Sequence, residues 1–254
     1  MNYKNFSFKI RKSILKVANI SQCSHLGSNL STVDILVVLY LKFIKSKKNS
    51  FILSKGHACL ALYCVLKEFG FISEKMLNSY GKNDSLLMAH ASHKVPGVSF
   101  STGSLGHGLP VATGVALANK LNKKNSKTFV LLSDGELDEG SNWEALLYSS
   151  HHNLKNLTVI IDYNKLQSID SVKNTLNLEP LSQKFKAFGF KVLNIDGHNF
   201  NQIFKALKVK QSKPLIIIAN TTKGKGVSFM ENSVLWHYKP LDLVNYNKAL
   251  KILK

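Results

Sequence analysis

Arginine is almost missing from this chain. Arg11 is the one arginine among 34 basic residues, and the rest are lysine. Acidic residues are also few, 15 in 254 positions, which leaves a formal charge of +19. Such a balance invites a nucleic-acid partner. Base readout and bidentate phosphate clamps lean on arginine, however, and lysine does not replace it there. The lysines are also scattered. Their two short clusters, Lys45/Lys47/Lys48 and Lys120/Lys123/Lys124, lack the interleaved aromatics on which single-strand binders stack bases. The charge therefore reads as a solvated surface fed by a general richness in Lys, Asn and Ile. An acidic partner protein is its remaining use, and no specific nucleic acid is expected.

Cysteine is scarce too. Cys23, Cys59 and Cys64 are odd in number and show no C-x-x-C spacing, so buried free thiols in a reducing cytosol are expected. The longest apolar run, Ile35 to Leu41, falls far short of the roughly 20 residues a membrane span needs. The opening MNYKNFSFKIRK is too polar for the apolar region of a signal peptide. A cytoplasmic chain without a membrane partner follows. No repeat, low-complexity tract or linker interrupts it, and residues 1–254 read as a single large α/β domain.

What the chain does have is a strand–turn–helix–strand run from Phe129 to Gln167. Phe129–Leu132 is short and apolar, as suits a strand buried on both faces. Ser133-Asp134-Gly135 breaks it, and Glu144 to His152 carries helical spacing with Trp143, Leu146 and Leu147 on one side. Leu157–Ile161 is a second buried strand, ended by Asp162-Tyr163-Asn164. Parallel strands joined by a helix bring their carboxyl ends to one sheet edge, where α/β folds bind ligands. Asp134 and Asn164, thirty positions apart, meet on that edge. One carboxylate and one amide oxygen make a hard-oxygen corner, suited to Mg²⁺ or Ca²⁺ and poor for Zn²⁺. Gly135 lets the backbone approach closely, and the helix that follows offers N–H groups to an anion. Each half alone is a turn or a loop; paired, they read as a seat for a metal and a diphosphate.

This run resembles the thiamine-diphosphate enzymes, whose signature is Gly-Asp-Gly followed about thirty residues later by Asn; here Ser133 takes the place of the first glycine. Within that superfamily, SDGELDEGSNWEA is similar to the transketolases, and specifically to the amino-terminal subunit of split, two-chain transketolases. The resemblance implies an α/β thiamine-diphosphate-binding fold with a mostly parallel central sheet and helices on both faces. It implies thiamine diphosphate as cofactor, with Mg²⁺, or Ca²⁺ or Mn²⁺ in its place, held by Asp134, Asn164 and the backbone oxygen of Leu166.

Other segments carry the same resemblance. Phe6 to Asn19 reads as a helix, SQCSHLGSN as a loop bearing His25, and Ser31-Thr32 as the cap of a helix from Val33 to Phe43. SHLGSN sits where transketolases carry Ser-Gly-His-Pro-Gly, which makes His25 a substrate-hydroxyl contact; Leu26 replaces the proline. A polar turn from Lys47 to Ser50 leads to a strand, Phe51–Leu53, and then to SKGHA. By residue type His57 is a capping or core histidine, and by resemblance it faces the cofactor's diphosphate side. Leu86 to Phe100 is loop-like. Of its two histidines, His90 has the six-residue interval to Pro96 of the family's functional histidine, and His93 does not.

STGSLGHGLPVATGVALA, Ser101 to Ala118, is a glycine-rich loop entering a helix, without the G-x-G-x-x-G of dinucleotide folds. Its likeness to transketolase places Gly103 and Leu105 against the thiazolium and His107 beside the substrate channel. Leu166 to Leu181 reads as a polar loop covering the cofactor, Phe185–Phe188 as helix, and Lys191–Ile195 as a strand ending in Asp196-Gly197-His198. A helix over Asn199–Val209 and a last strand over Pro214–Ala219 follow. Thr222 to Gly226, TKGKG, is either a phosphate nest or a flexible loop, and the match in the next segment gives a diphosphate and donor-sugar contact to His237.

The resemblance covers the diphosphate-binding third of a full transketolase. The glutamate that activates the aminopyrimidine, and the arginines that clamp a sugar phosphate, belong to domains outside that third. Arg11 is no substitute for them. Glu139 and Glu144 match family positions at the domain interface that link active sites and reach the cofactor region. The implied activity is transfer of a two-carbon ketol unit between sugar phosphates in the non-oxidative pentose phosphate pathway. It implies a partner chain carrying the pyrimidine-binding and carboxy-terminal domains, in a heterotetramer. The alternatives are a sibling split ketolase acting on another sugar or a sulfonated substrate, and a basic nucleic-acid-binding protein that retains the fold.

Overall fold

The computed structural model describes residues 2–44 and 48–253. The first half is mostly helical: α1 (Tyr3–Ser21), α2 (Leu26–Ser31), α3 (Val33–Leu39), then β1 (Ser50–Leu53), α4 (Cys59–Glu68), α5 (Glu74–Leu77) and α6 (Gly108–Leu121). Strand and helix then alternate through β2 (Thr128–Ser133), α7 (Gly140–His151), β3 (Leu157–Tyr163), α8 (Val172–Thr175) and α9 (Leu181–Ala187). The chain continues through β4 (Lys191–Asp196), α10 (Phe200–Lys208), β5 (Leu215–Asn220) and α11 (Leu243–Ile252).

The strands form one sheet in the order β1-β2-β3-β5-β4, and every neighbouring pair is parallel. Side chains alternate across it, as strand geometry requires. Phe51, Leu53, Phe129, Leu131, Leu215 and Ile217 face one way, into a core built with α1, α3, α4 and α10. Ile52, Val130, Leu132, Val159, Ile216 and Ile218 face the other, against α6, α7 and α9. β2 and β3 are buried along their whole length, which explains why their sequences are continuous apolar runs rather than alternating ones. Helices thus cover both faces, the α/β arrangement expected. Among the described residues no helix is long and apolar enough to cross a membrane.

Some local expectations change, among them a short helix, α8, inside the Leu166–Leu181 stretch read as loop. β3 runs through Asp162 and Tyr163 instead of stopping at Ile161, because Asp162 finds buried partners on the sheet's edge. Ser31 and Thr32 do not cap a helix. SHLGSN is loop only as far as His25, α2 begins at Leu26, and Thr32 joins α2 to α3 in a helical conformation. Ser31 Oγ instead donates to Asp162 Oδ2 at 2.6 Å, and Thr32 Oγ1 bonds back to the Asn29 carbonyl. The Val33–Phe43 helix is met by α3 and a wider π turn at Tyr40–Ile44. Of the cluster and polar turn before β1, Lys45, Ser46 and Lys47 lie outside the described residues. Cys59 and Cys64 are buried free thiols in α4, and Cys23 is a partly buried one. Lys120, Lys123 and Lys124 are exposed at the end of α6.

Candidate active site

Because the strands are parallel, the carboxyl ends of β1, β2, β3 and β5 deliver their next residues to one edge, and a cleft opens there. Asp134 follows β2, Asn164 follows β3, His57 lies just past β1 and Lys223 just past β5. His25, His57, His90, Gly103, Leu105, Asp134, Gly135, Asn164, Leu166 and His237 all line this cleft. Three of the residues singled out do not. His107 is exposed one position before α6. Glu139 and Glu144 are exposed at the start of α7, Glu144 beside a groove between α6 and α7.

The histidines converge from four distant segments. His25 stands at the head of α2 with left-handed backbone, φ 67°. Its N–H donates to the His237 carbonyl at 2.6 Å. Asn29 ties the cluster from below: its Nδ2 donates to the carbonyls of His25 and His57, at 2.8 and 3.3 Å, while its Oδ1 accepts from the Ala61 N–H at 2.8 Å. The ring of His25 lies 5.4 Å from that of His57, 6.2 Å from His90 and 5.0 Å from His237. His93, the competitor of His90, is exposed and pairs with Ser101 instead.

Burial and neighbouring positive charge keep three of the cleft imidazoles, those of His25, His57 and His237, neutral. His25 is pushed down to about 4, first by burial and then by His90, Lys223 and Lys55. His237 is pushed down to about 3 by burial, then by Lys223 and His25. His57 lies well below the ordinary value for the same first reason, with Lys55 next.

Sequence reasoning finds the lysine responsible only as part of a nest or a flexible loop. Lys223 is 1% exposed. Its Nζ donates to the carbonyls of Leu166 at 3.0 Å and Gln167 at 2.8 Å, and lies 3.1 Å from His237 Nδ1. An ammonium can only donate, so Nδ1 accepts and the ring proton of His237 sits on Nε2. Burial lowers Lys223 to about 8, against the pull of Asp134. Lys55, in the Ser-Lys-Gly-His stretch, is missed by that reasoning altogether. It is fully buried and pairs with Asp162 Oδ2 at 2.5 Å, which Ser31 also bonds, while Thr221 bonds the other oxygen. Burial would raise Asp162, but Lys55 and these donors outweigh it and hold it low. Glu136 forms a third buried anchor. Its carboxylate takes Ser54 Oγ at 2.5 Å and the Gly106 N–H at 3.0 Å, fixing the glycine-rich loop to β1. Gly106 needs φ 86°, and a Cβ there would stand 2.6 Å from Ser141 Oγ.

Asp134 is the member least provided for. It is 2% exposed, and among the described residues it accepts only the N–H groups of Gly135 at 2.9 Å and Lys165 at 2.6 Å. Among the described residues no cation reaches it within ion-pair distance. Burial, and then Asp162, push it up to about 7. A buried carboxylate in that state fits a metal ion that supplies the missing positive charge. Asn164 Oδ1 and the Leu166 carbonyl are the other oxygens at hand on the cleft. Among the described residues no group of three or more His, Cys, Asp or Glu could hold a metal. The seat is thus an incomplete oxygen set, of the kind that Mg²⁺ completes with phosphate oxygens and water.

Residues 7–252 match the family described as "Transketolase, thiamine diphosphate binding domain". The chain belongs to the transketolase family. It is 43% identical to one subunit of the apulose-4-phosphate transketolase of Actinobacillus succinogenes, across 90% of this chain and 87% of that one. It is 36% identical to a 6-deoxy-6-sulfo-D-fructose transketolase subunit of a Clostridium species, with the same two shares. The crystal structure of transketolase from Campylobacter jejuni superposes on 99% of the chain with a TM-score of 0.89 and 30% identity, but only 43% of that enzyme is covered. The chain therefore spans most of its subunit-type transketolase relatives and well under half of a full-length transketolase.

Proposed function

We propose that the chain is the diphosphate-side subunit of a two-chain ketolase. It would work with a partner carrying the pyrimidine-binding and carboxy-terminal domains to transfer a two-carbon ketol unit between sugar phosphates. The observation that carries this reading is the Asp134–Asn164–Leu166 oxygen seat, set in one cleft with four histidines and Lys223. The subunit naming and length of the relatives support a second chain, and a heterotetramer is the expected assembly.

Asp134, Asn164 and the Leu166 carbonyl would hold Mg²⁺, and Lys223, already bonded to that carbonyl, would add charge for the diphosphate. Gly103, which has no side chain, and apolar Leu105 would wall the thiazolium. When bound, thiamine diphosphate supplies the nucleophilic carbon at which the ketose carbon–carbon bond is cleaved and remade. The chain's own part is to bind, orient and exclude water. Neutral His25 and His57 can donate or accept a hydrogen bond without bringing charge, and His237, its Nδ1 taken by Lys223, can donate from Nε2, which suits sugar hydroxyls and a carbonyl oxygen; His90 lines the cleft beside them. Glu139 and Glu144 would act across the subunit contact. The groove lined by Pro110, Leu117, Ala145 and Tyr148, with exposed Leu147 nearby, offers an apolar surface for it.

The non-oxidative pentose phosphate reaction is one substrate reading. The relatives named for apulose 4-phosphate and for a sulfonated fructose favour the second, a different sugar on the same chemistry. The deciding assay follows ketol transfer to ribose 5-phosphate with Mg²⁺ and thiamine diphosphate, using each chain alone and then both. Xylulose 5-phosphate, apulose 4-phosphate and 6-deoxy-6-sulfofructose serve in turn as donors. Turnover only in the mixture supports the reading, and the best donor fixes the substrate; robust turnover by this chain alone would overturn it.

A further inference from the structure

Two features of the sequence have no place in the cleft: the single arginine and the Asp196-Gly197-His198 end of β4. They meet in the interior. All three guanidinium nitrogens of Arg11 are engaged. Nη1 and Nη2 donate to Asp34 Oδ1 and Oδ2 at 2.9 and 2.7 Å, and Nε donates to the Lys225 carbonyl at 3.0 Å. The same Asp34 Oδ2 lies 2.8 Å from His198 Nδ1. On its other side the imidazole takes the Thr222 N–H at Nε2, 2.9 Å away. A backbone N–H can only donate, so Nε2 is bare and the ring proton sits on Nδ1, directed at Asp34. The topology makes this meeting possible. Parallel register sets Asp196 beside Asn220, so the residues two steps further on, His198 and Thr222, emerge as neighbours.

Thr222 and Lys225 bracket Lys223. One flank hangs from His198 by its N–H, the other from Arg11 by its carbonyl, and both holders are joined through Asp34. None of the three lines the cleft. Arg11 and Asp34 are 5% and 4% exposed, and the His198 side chain 14%. Burying a charged pair is costly and stabilises a fold weakly compared with apolar packing, so the pair's bonds to the loop point to a positional task.

We propose that Arg11, Asp34 and His198 are positioning residues, a buried latch that holds both flanks of the Thr222–Lys225 loop so that Lys223 is presented to the diphosphate side of the cleft. The last clause rests on the functional reading above; the latch itself does not.

The two are separated by measuring the chain without cofactor first. Backbone hydrogen exchange over residues 222–226 is followed for wild type, His198→Asn, His198→Gln and Arg11→Lys. Asn can keep the donor to Asp34 but falls short of Thr222, whereas Gln can place an oxygen where Nε2 was. Exchange in the segment should rise at least tenfold in His198→Asn and in Arg11→Lys, which loses the fork. It should stay within about threefold of wild type in His198→Gln, with β2 and α4 unchanged in all of them. Calorimetry with thiamine diphosphate and Mg²⁺ should then show Kd raised about tenfold in the two loosened variants only. Unchanged exchange in His198→Asn, acceleration spread over the whole chain, or His198→Gln behaving like His198→Asn would each overturn the latch. Failure of wild type to bind the cofactor even when mixed with the partner chain would overturn the functional reading instead, while the exchange result still judges the latch. Should His198→Asn not fold, Arg11→Lys decides.

Discussion

The stem of Lys223 lies directly across Gly27: a Cβ built on that glycine would stand 2.8 Å from Lys223 Cγ. The Gly27 carbonyl also accepts the Gly224 N–H at 3.0 Å. Gly27→Ala should therefore push the lysine aside rather than break the helix. A cost of about 1–3 kcal/mol in stability is expected from overpacking, with thiamine diphosphate affinity lowered about tenfold in calorimetry. Wild-type affinity in a folded Gly27→Ala chain would remove Lys223 from the cofactor's neighbourhood.

Asp134→Ala should abolish Mg²⁺-dependent cofactor binding, by at least a hundredfold in Kd. The fold should not suffer, because Asp134 has no ion-pair partner among the described residues, and the desolvation relieved by its removal offsets the loss of its bonds to the Gly135 and Lys165 N–H groups. The pair of measurements is a calorimetric titration and a urea midpoint at pH 8. A lowered midpoint would mean that Asp134 is a structural acceptor first.

The sign of the histidine shifts gives a pH prediction. His25 at about 4, His237 at about 3 and His57 well below its ordinary value all remain neutral while a free imidazole protonates near 6.5. Nitrogen-15 spectra at pH 5.5 should show at least these three rings uncharged. Unfolded chains take up the protons first, so each contributes stability above pH 6.5 that is lost as pH falls toward its folded value. Asp134, raised to about 7, works in the opposite direction between pH 7 and 4. All 9 rings titrating near 6.5 would contradict the buried cluster.

Removing one half of the Lys55–Asp162 pair leaves the other charge buried and unpaired. Asp162→Ala is expected to cost about 3–5 kcal/mol of folding free energy, read by urea unfolding at neutral pH. A loss below about 1 kcal/mol, the range of exposed pairs, would show that water reaches Lys55.

The proposed subunit contact is tested at α7. Leu147 is 58% exposed and Tyr148 44%. Leu147→Asp should weaken assembly with the partner chain about tenfold or more by light scattering, with an unaltered melting temperature. Equal assembly would place the contact on another face.

Much of this architecture was legible because it is written locally. Two apolar runs on either side of a helix define β2 and β3, and parallel connection then forces Asp134 and Asn164 onto one edge. The histidines other than His90 stand in strings distinctive enough to place. Lys223 and Lys55 were not legible, since nothing near a lysine in sequence says that it will be buried. The partners that make burial tolerable come from far away: Asp162 is 107 positions from Lys55, and the Leu166 carbonyl 57 from Lys223. Ser31 misled for a related reason. Before an apolar helical run a serine looks like a cap, but a buried carboxylate across the sheet competes for its hydroxyl and wins. His107 sits in a glycine-rich string as recognisable as any, and its side chain is exposed at the head of α6, outside the residues that line the cleft.

The solitary arginine has a practical consequence. A dicarbonyl reagent selective for guanidinium groups has a single target in this protein, and in the folded chain that target is 5% exposed with every nitrogen engaged. Modification can proceed only through opening of the interior around α1. Labelling stoichiometry, read by mass, becomes a one-site counter of open molecules in the presence of 33 lysines that the reagent largely ignores.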